Sequence, residues 1–447
     1  MKTKLAIVIC VILIVTLLAA CNSQTGGGSD QTSSGSSASE TTDGGLTLVF
    51  LCTTENYSSS VQEFMEDYEM ATGNKVEVQF FPETEYDQVI RARQMSNQNF
   101  DLYRTGSISF SEFQWPTDWP YRLNDRPWID RLAPAAVSAM SWGDGSITGI
   151  PINNNGAEGM MYNKKIFAEA GIDKLPETWT EFLDACEKIK QIGVIPVNIQ
   201  LASGHEYGTT FFLYNLFVNV YLTRGVGGAN ELFAAIDANE ITFGEVPEYL
   251  VAINQLLELR DKGYINEDFI TTTFEMSQEN FAFGKVAMHP CGDFVLDPLS
   301  EYPELDLNND IGFFPLPYQD TPGAFSLYSG VGLTINSKSE NLDAAIELMD
   351  MFASKEAQDK YMAKNPGNAA FSDAVSESTA FTRGVDEFAE KGLAFRDVCE
   401  SHQLFPDTEF RGYLQELMLG SITAEQLLDK LQSAAEMIAK SKGLPGW

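Results

Sequence analysis

Beyond residue 45 the chain carries two rhythms of apolar and polar positions. Leu46 to Cys52 is a nearly continuous apolar run and predicts a buried strand. Val61, Phe64, Met65 and Tyr68 then recur at i, i+3, i+4 and i+7, one face of a helix that Gly73 ends. Val76, Val78 and Phe80 alternate with polar residues, as in a half-buried strand. A helix from Tyr86 to Asn97 and a short strand, Phe100 to Tyr103, follow. This order predicts right-handed crossovers, a mostly parallel sheet and an α/β fold class. Such sheets bind ligands at the carboxyl ends of their strands, here Thr53–Tyr57 and Arg104–Ser107. Further on, Thr178 and Glu181 read as a capping box opening a helix with Phe182, Cys186 and Ile189 on one face. Trp179, in its first turn, reads as a packing residue. Thr423 and Gln426 open a last helix, with Leu427, Leu431, Ala434, Ala435 and Ile438 inward. No period of 20–50 residues recurs, which argues against a solenoid or propeller.

The start of the chain is built differently. Lys2 and Lys4 precede an apolar stretch, Leu5 to Ala20, broken only by Thr16. It is shorter than the roughly 20 residues that span a bilayer. A basic start, an apolar middle and small residues at the end predict an export signal over residues 1–20. Leu18-Ala19-Ala20-Cys21 resembles a bacterial lipobox, in which Cys21 carries lipid and becomes the first mature residue. Asn22 to Gly45 holds 17 Gly, Ser or Thr among 24 residues and no large apolar side chain. Such a segment cannot offset its ordering entropy and is expected to be disordered. As a flexible coil of about 25–30 Å, residues 21–45 would tether a body to the outer membrane face.

Charge narrows the partners. Of 447 residues 29 are Lys or Arg and 63 Asp or Glu, a formal net charge of −34. Such a surface repels phosphate backbones and anionic lipid, against a nucleic-acid partner or flat membrane docking. The 44% hydrophobic content suits two or three domains. Cys10 leaves with the signal; Cys52, Cys186, Cys291 and Cys399 are widely separated, without a CxxC. Three disulfide pairings and four free thiols remain open. The three histidines, His205, His289 and His402, form no HExxH, and GxSxG, GxxxxGK[ST] and a strand-placed GxGxxG are missing. Sixty-three carboxylates contain by chance some pair at glycosidase spacing, so such a pair carries no information. Asp306 to Asp310 superficially resembles a calcium loop, but Gly312 comes one place late and Pro317 stands where a bidentate Glu belongs. No catalytic residue, metal or cofactor is expected.

Ordered blocks carry the more specific signal. Gly149-Ile150-Pro151 and Asn153-Asn154-Asn155 precede Met161-Tyr162-Asn163-Lys164-Lys165-Ile166-Phe167, Ala170-Gly171 and Pro176-x-Thr178-Trp179-x-Glu181-Phe182. Phe281-Ala282-Phe283-Gly284-Lys285-Val286-Ala287-Met288, Gly292-Asp293-Phe294 and Gly330-Val331-Gly332-Leu333-Thr334-Ile335 follow, before a helix from Leu342 to Phe352. From Leu46 to Lys440 the chain resembles the family 1 extracellular solute-binding proteins of ABC importers, the maltose-binding-like group serving carbohydrates. The resemblance implies two α/β lobes of the type II periplasmic-binding-protein fold, hinged by crossing strands near Asn153–Gly156, Ile311–Pro317 and Lys355–Tyr361. Lobe 1 would be residues 46–155 and 317–356, lobe 2 residues 156–316 and 357–447. It further implies a monomeric receptor without enzymatic activity, which hands a sugar to ABC permease subunits. A lipobox and tether suit a Gram-positive cell surface. The alternatives are the same fold holding a non-sugar solute, or a surface glycosidase.

A sugar offers hydroxyls to planar polar groups and C–H faces to rings. Family positions and strand-end logic together select ligand candidates. Glu55, Asn56 and Tyr57 follow the first strand, and Ser107 follows the third, where the family often has Trp or Asp. Asn154, Asn155 and Glu158 mark the hinge. His205, Glu206 and Tyr207 lie where the family places an acidic–aromatic cluster. Asp293 and Phe294 stand where it commonly has a Trp platform, and Tyr328 borders a glycine-rich turn. Phe405, Asp407, Phe410 and Arg411 fall where it contributes a ring and an arginine. One of Trp115, Trp119, Trp128 and Trp142 is a further candidate for the cleft lip.

Overall fold

A computed structural model describes residues 45–106, 118–142, 144–152, 156–328, 330–365, 369–375, 378–402 and 404–447. The export signal, Cys21, the tether to residue 44, Trp115 and three expected site residues, Ser107, Asn154 and Asn155, lie outside them. Among the described residues no helix is long and apolar enough to cross a membrane.

Eleven strands are described. The first six are β1 (Thr47–Thr53), β2 (Lys75–Phe81), β3 (Leu102–Thr105), β4 (Gly149–Pro151), β5 (Gly156–Asn163) and β6 (Ile195–Val197). β7 (Val286–Gly292), β8 (Ile311–Phe314), β9 (Phe325–Tyr328), β10 (Gly332–Ile335) and β11 (Ala394–Arg396) complete them. One sheet has the order β2-β1-β3-β10-β4. The other runs β11-β9-β5-β7-β6, with β8 also on β5. In the first sheet β2, β1 and β3 are parallel, as the alternating pattern predicts, but β10 and β4 are antiparallel neighbours from far along the chain. Both sheets are therefore mixed rather than mostly parallel.

Local signals place the helices. Ser58 Oγ accepts from the Val61 amide at 3.3 Å, and Gly73 closes helix Ser59–Thr72 at φ 75°, a left-handed turn glycine adopts without a steric penalty. Val61, Phe64, Met65 and Tyr68 are its buried face, packed on Leu48, Phe50 and Cys52 of β1 and on Leu348 and Phe352. The Thr423–Gln426 capping box is complete. At Thr178 only half forms: Thr178 Oγ1 takes the Glu181 amide at 3.2 Å, while Glu181 Oε2 reaches the Glu177 amide at 2.8 Å. Trp179 packs on Phe182 and donates to Glu258 at 2.7 Å. Trp119, Trp128 and Trp142 are all buried.

The second sheet is covered on both faces. Met160 of β5 joins Phe182, Phe212, Phe217, Leu256 and Phe410 on one. Ala157 and Met161 join Phe281, Val295, Phe313 and Phe381 on the other. Strand alternation thus puts Gly156, Glu158 and Met160 on a single face. Among the described residues Cys52, Cys186, Cys291 and Cys399 form no disulfide. The loop likened to a calcium site satisfies itself: Asp306 accepts from the Asn308 amide and Asn309 Nδ2, and Asp310 pairs with Lys165 at 2.6 Å.

The expected boundaries need correction. Ile311–Pro317 is not a crossing, because β8 pairs with Met160–Asn163 of β5 and β9, further on, pairs with Gly156–Glu158 of the same strand. Pro315 and Pro317 lie in the connection from β8 to β9, and the chain passes to the first sheet only between Tyr328 and Gly332. Helix Lys355–Lys364 stays with the first sheet, since Tyr361, Met362 and Phe371 pack in its core. The return to the second sheet follows Phe371 and precedes Phe381, which packs on Phe313.

Thr423→Ala removes the last helix's cap and is expected to cost about 1 kcal/mol, read as a lower urea midpoint at unchanged slope.

Candidate functional site

The register brings one edge of each sheet together. β1 and β3 end at Thr53 and Thr105, while Gly332 starts β10 opposite both Thr105 and Pro151. In the second sheet Gly156 starts β5 opposite Tyr328, where β9 ends, and β7 ends at Gly292. The passages from Pro151 to Gly156 and from Tyr328 to Gly332 join these edges. Four residues of extended chain reach at most about 14 Å, so Tyr328 and Gly332 hold the edges within that distance.

At the second sheet's edge three expected residues meet. Tyr328 Oη donates to Asp293 Oδ1 at 2.5 Å. The pair lies in the space a side chain at 156 would fill: a Cβ on Gly156 would clash with Asp293 Oδ1 and Tyr328 Oη. A Cβ on Gly292 would meet the Phe294 ring at 2.7 Å. The two glycines thus let a ring and a carboxyl lie flat on the strands. Phe294 is half-buried and meets Phe211 at 5.6 Å, Phe274 at 6.1 Å and Tyr328 at 6.0 Å between ring centroids. Burial pushes the Asp293 carboxyl up to about 7, against the opposing hydrogen bonds from Tyr328 and from backbone amides.

The other expected residues divide. Glu158 is on the same face as Gly156 but only 3% exposed, one step in from the edge, where burial and the neighbouring Asp397 carboxylate raise its pKa well above the usual range. His205 Nδ1 accepts from the Phe274 amide at 3.3 Å, while Glu206, also buried, accepts from Gln415 at 2.9 Å. Helix Tyr207–Phe217 starts at this edge and carries Phe211; the side chains of Tyr207 and Glu55 are outside the description. Asn56 Nδ2 donates to Thr53 Oγ1 at 2.7 Å. Tyr57 packs on Phe50 and Phe80, with its hydroxyl pushed up to about 12, mainly by burial. Asp407 accepts from the Tyr214 hydroxyl and from Arg411 at 2.7 Å.

Phe405 and Phe410, at 5% and 0% exposed, pack in the core with Tyr214, Phe217 and Phe243. Three residues at or near the edges went unnoticed in the sequence. Phe211 sits mid-helix among other rings. Asp397 acquires its place only through the pairing of β11 with β9. Arg104, which opens the second strand end named from the sequence but was not singled out as a ligand candidate, is buried at the end of β3 with its guanidinium 4.6 Å from the centre of the Tyr86 ring. The bodies also touch where Ser59 Oγ donates to Asp297 Oδ1 at 3.2 Å.

Residues 53–359 match the sequence profile of bacterial extracellular solute-binding proteins. The chain belongs to that family. Among curated relatives of this solute-binding protein, the multiple sugar-binding protein of Streptococcus mutans is 23% identical over 320 residues, 71% of this chain and 73% of that one. The melibiose/raffinose/stachyose-binding protein MelE of Bacillus subtilis is 25% identical over 240 residues, 53% of each. Among solved structures, a chitin oligosaccharide binding protein superposes with a TM-score of 0.74 at 19% identity, covering 89% of this chain and 99% of that one. A sugar transporter of Bacillus licheniformis in complex with stachyose gives 0.73 at 18% identity, covering 88% and 100%. The fold of the solute-binding protein is thus the two-sheet, type II architecture.

Two outcomes test this geometry. Folded Asp293 holds its proton up to about 7 against an ordinary 3.8, so between those values unfolding releases a proton and stability falls as pH rises. Asp293→Asn is expected to flatten that part of the profile of thermal midpoint against pH. Phe410→Ala is expected to cost about 3–5 kcal/mol in chemical unfolding, as a core residue does.

Proposed function

We propose that this solute-binding protein is the sugar receptor of an ABC importer, closing two hinged bodies around an oligosaccharide without cutting it. The observation that carries the reading is the set of half-buried rings, Phe211, Phe294 and Tyr328, around the Asp293 carboxyl at the edge facing the other sheet. Rings give a sugar's C–H face contact area at little entropic cost, and a carboxyl takes its hydroxyls. The sugar-binding names of the relatives agree. A ligand held by both bodies has differential affinity for the closed state and shifts the population towards it. The permease then distinguishes loaded from empty receptor. The lipobox cysteine Cys21 and the Gly/Ser/Thr tether support anchoring at the outer face of the cell membrane.

Calorimetry with melibiose, raffinose, stachyose, xylo-oligosaccharides and chitin oligosaccharides tests the ligand class. At least one is expected to bind, with Phe294→Ala weakening it about tenfold; silence across the panel overturns the sugar reading. Cys21→Ser is expected to move the protein from the membrane fraction to the medium, as immunoblotting of the two fractions would read.

A further inference from the structure

One hydrogen bond joins the facing edges directly, and each of its partners is fixed to its own body. Ser59 opens helix Ser59–Thr72 just after Tyr57, and that helix packs through Val61, Phe64, Met65 and Tyr68 on β1. Asp297 follows Asp293 and Phe294 on the short helix Leu296–Leu299, whose Leu296 and Leu299 pack with Val295 and Phe281 in the second body. Ser59 Oγ donates to Asp297 Oδ1 at 3.2 Å. Asp297 is only 7% exposed, and a buried carboxylate costs free energy unless hydrogen bonds or charges compensate it. Among the described residues it forms no ion pair; Lys364, whose charge it feels, is taken by Glu63 at 2.8 Å. What faces Asp297 is the start of a 14-residue helix that has no acid in its own first turn. The positive end of the helix dipole favours a carboxylate there. Ser58 Oγ accepts from the Val61 amide and Ser60 Oγ from Asn365 Nδ2 at 2.6 Å, so of three successive hydroxyls it is that of Ser59 that reaches the other body.

We infer that Ser59 and Asp297 form a latch across the cleft: a carboxylate of one body seats on the helix start of the other and biases the two towards the closed arrangement. This rests on the reading that the bodies hinge, and it adds an interaction other than the ligand that sets their resting population. Ser59 follows the end of β1 and Asp297 the end of β7, the edges that face each other. Opening separates those edges, so it breaks the bond and returns both groups to water. Neither residue needs to touch the sugar for this. A receptor whose binding-competent state is populated in advance binds with a correspondingly lower apparent Kd. A single hydrogen bond of this kind changes that population by up to about tenfold.

The test uses the whole protein as wild type, Ser59→Ala, Asp297→Ala, the double variant, and Ser59→Thr, which keeps the hydroxyl. In the first arm small-angle scattering is recorded without ligand. The radius of gyration is expected to rise in the three variants that break the bond and to stay at the wild-type value in Ser59→Thr. The double variant is expected to match the single ones, since all three lose the same contact. A merely structural role would lower the thermal midpoint and leave the radius alone. An unchanged or smaller radius in Ser59→Ala and Asp297→Ala overturns the latch. Should Asp297→Ala not fold, Ser59→Ala, which removes one oxygen from a helix's first residue, decides by itself. In the second arm raffinose is the probe, and its Kd is expected to weaken by up to about tenfold in the same variants; an unchanged or tighter Kd overturns the proposal. If raffinose does not bind the wild type, that result bears on the sugar reading alone, and the scattering arm decides this one.

Discussion

The hydroxyl–carboxyl contact between Tyr328 and Asp293 ties together the ends of β9 and β7, two strands that come from distant parts of the chain and flank β5 on opposite sides. It exists because Gly156, at the start of β5 between them, has no side chain to occupy the same space. The passage between the sheets that follows Tyr328 therefore leaves from a fixed point. So does the ring surface of Phe294, whose orientation depends on Gly292 in the same way. Hinge and ligand surface share these atoms, which is why closure and binding are one event in the proposed mechanism.

Burial gives that edge its electrostatic character. The formal charge of −34 counts every carboxyl as ionised, yet Asp293, Glu158 and Asp397 are all raised by desolvation. Elsewhere the acids are held the other way. Glu248, gripped by Arg224 at 2.8 Å, is lowered, and so is Glu63, between Lys360 and Lys364. The lowered acids contribute stability above their unfolded values and lose it as pH falls. The raised acids do the opposite and lose stability as pH rises, Asp293 between its ordinary 3.8 and about 7.

Much of this was legible in the sequence where the signal is local. The helix at Ser59–Thr72 has its period, its cap and its terminating glycine between Ser58 and Gly73, and the blocks around Tyr162 and Gly292 carried the family. What was missed is non-local. Nothing near β10 announces that it enters the first sheet antiparallel to β3. The family resemblance implied a crossing near Ile311–Pro317, although the strands on either side of Pro315 and Pro317 return to β5. Phe405 and Phe410 have the composition of a sugar platform, and only the packing of Tyr214 and Phe217 shows that they face inward. Asp397 comes to the β5 side of the sheet solely because β11 lies along β9, which pairs with β5.

Hydrogen–deuterium exchange with and without a saturating sugar tests the central claim most directly, because it reports each edge separately. The account predicts slowed exchange at Thr53–Asn56 and Thr105–Gly106 on one sheet, and at Gly156–Ala157 and Asp293–Phe294 on the other, in the same complex. A bound sugar that protects only one of the two edges would contradict it.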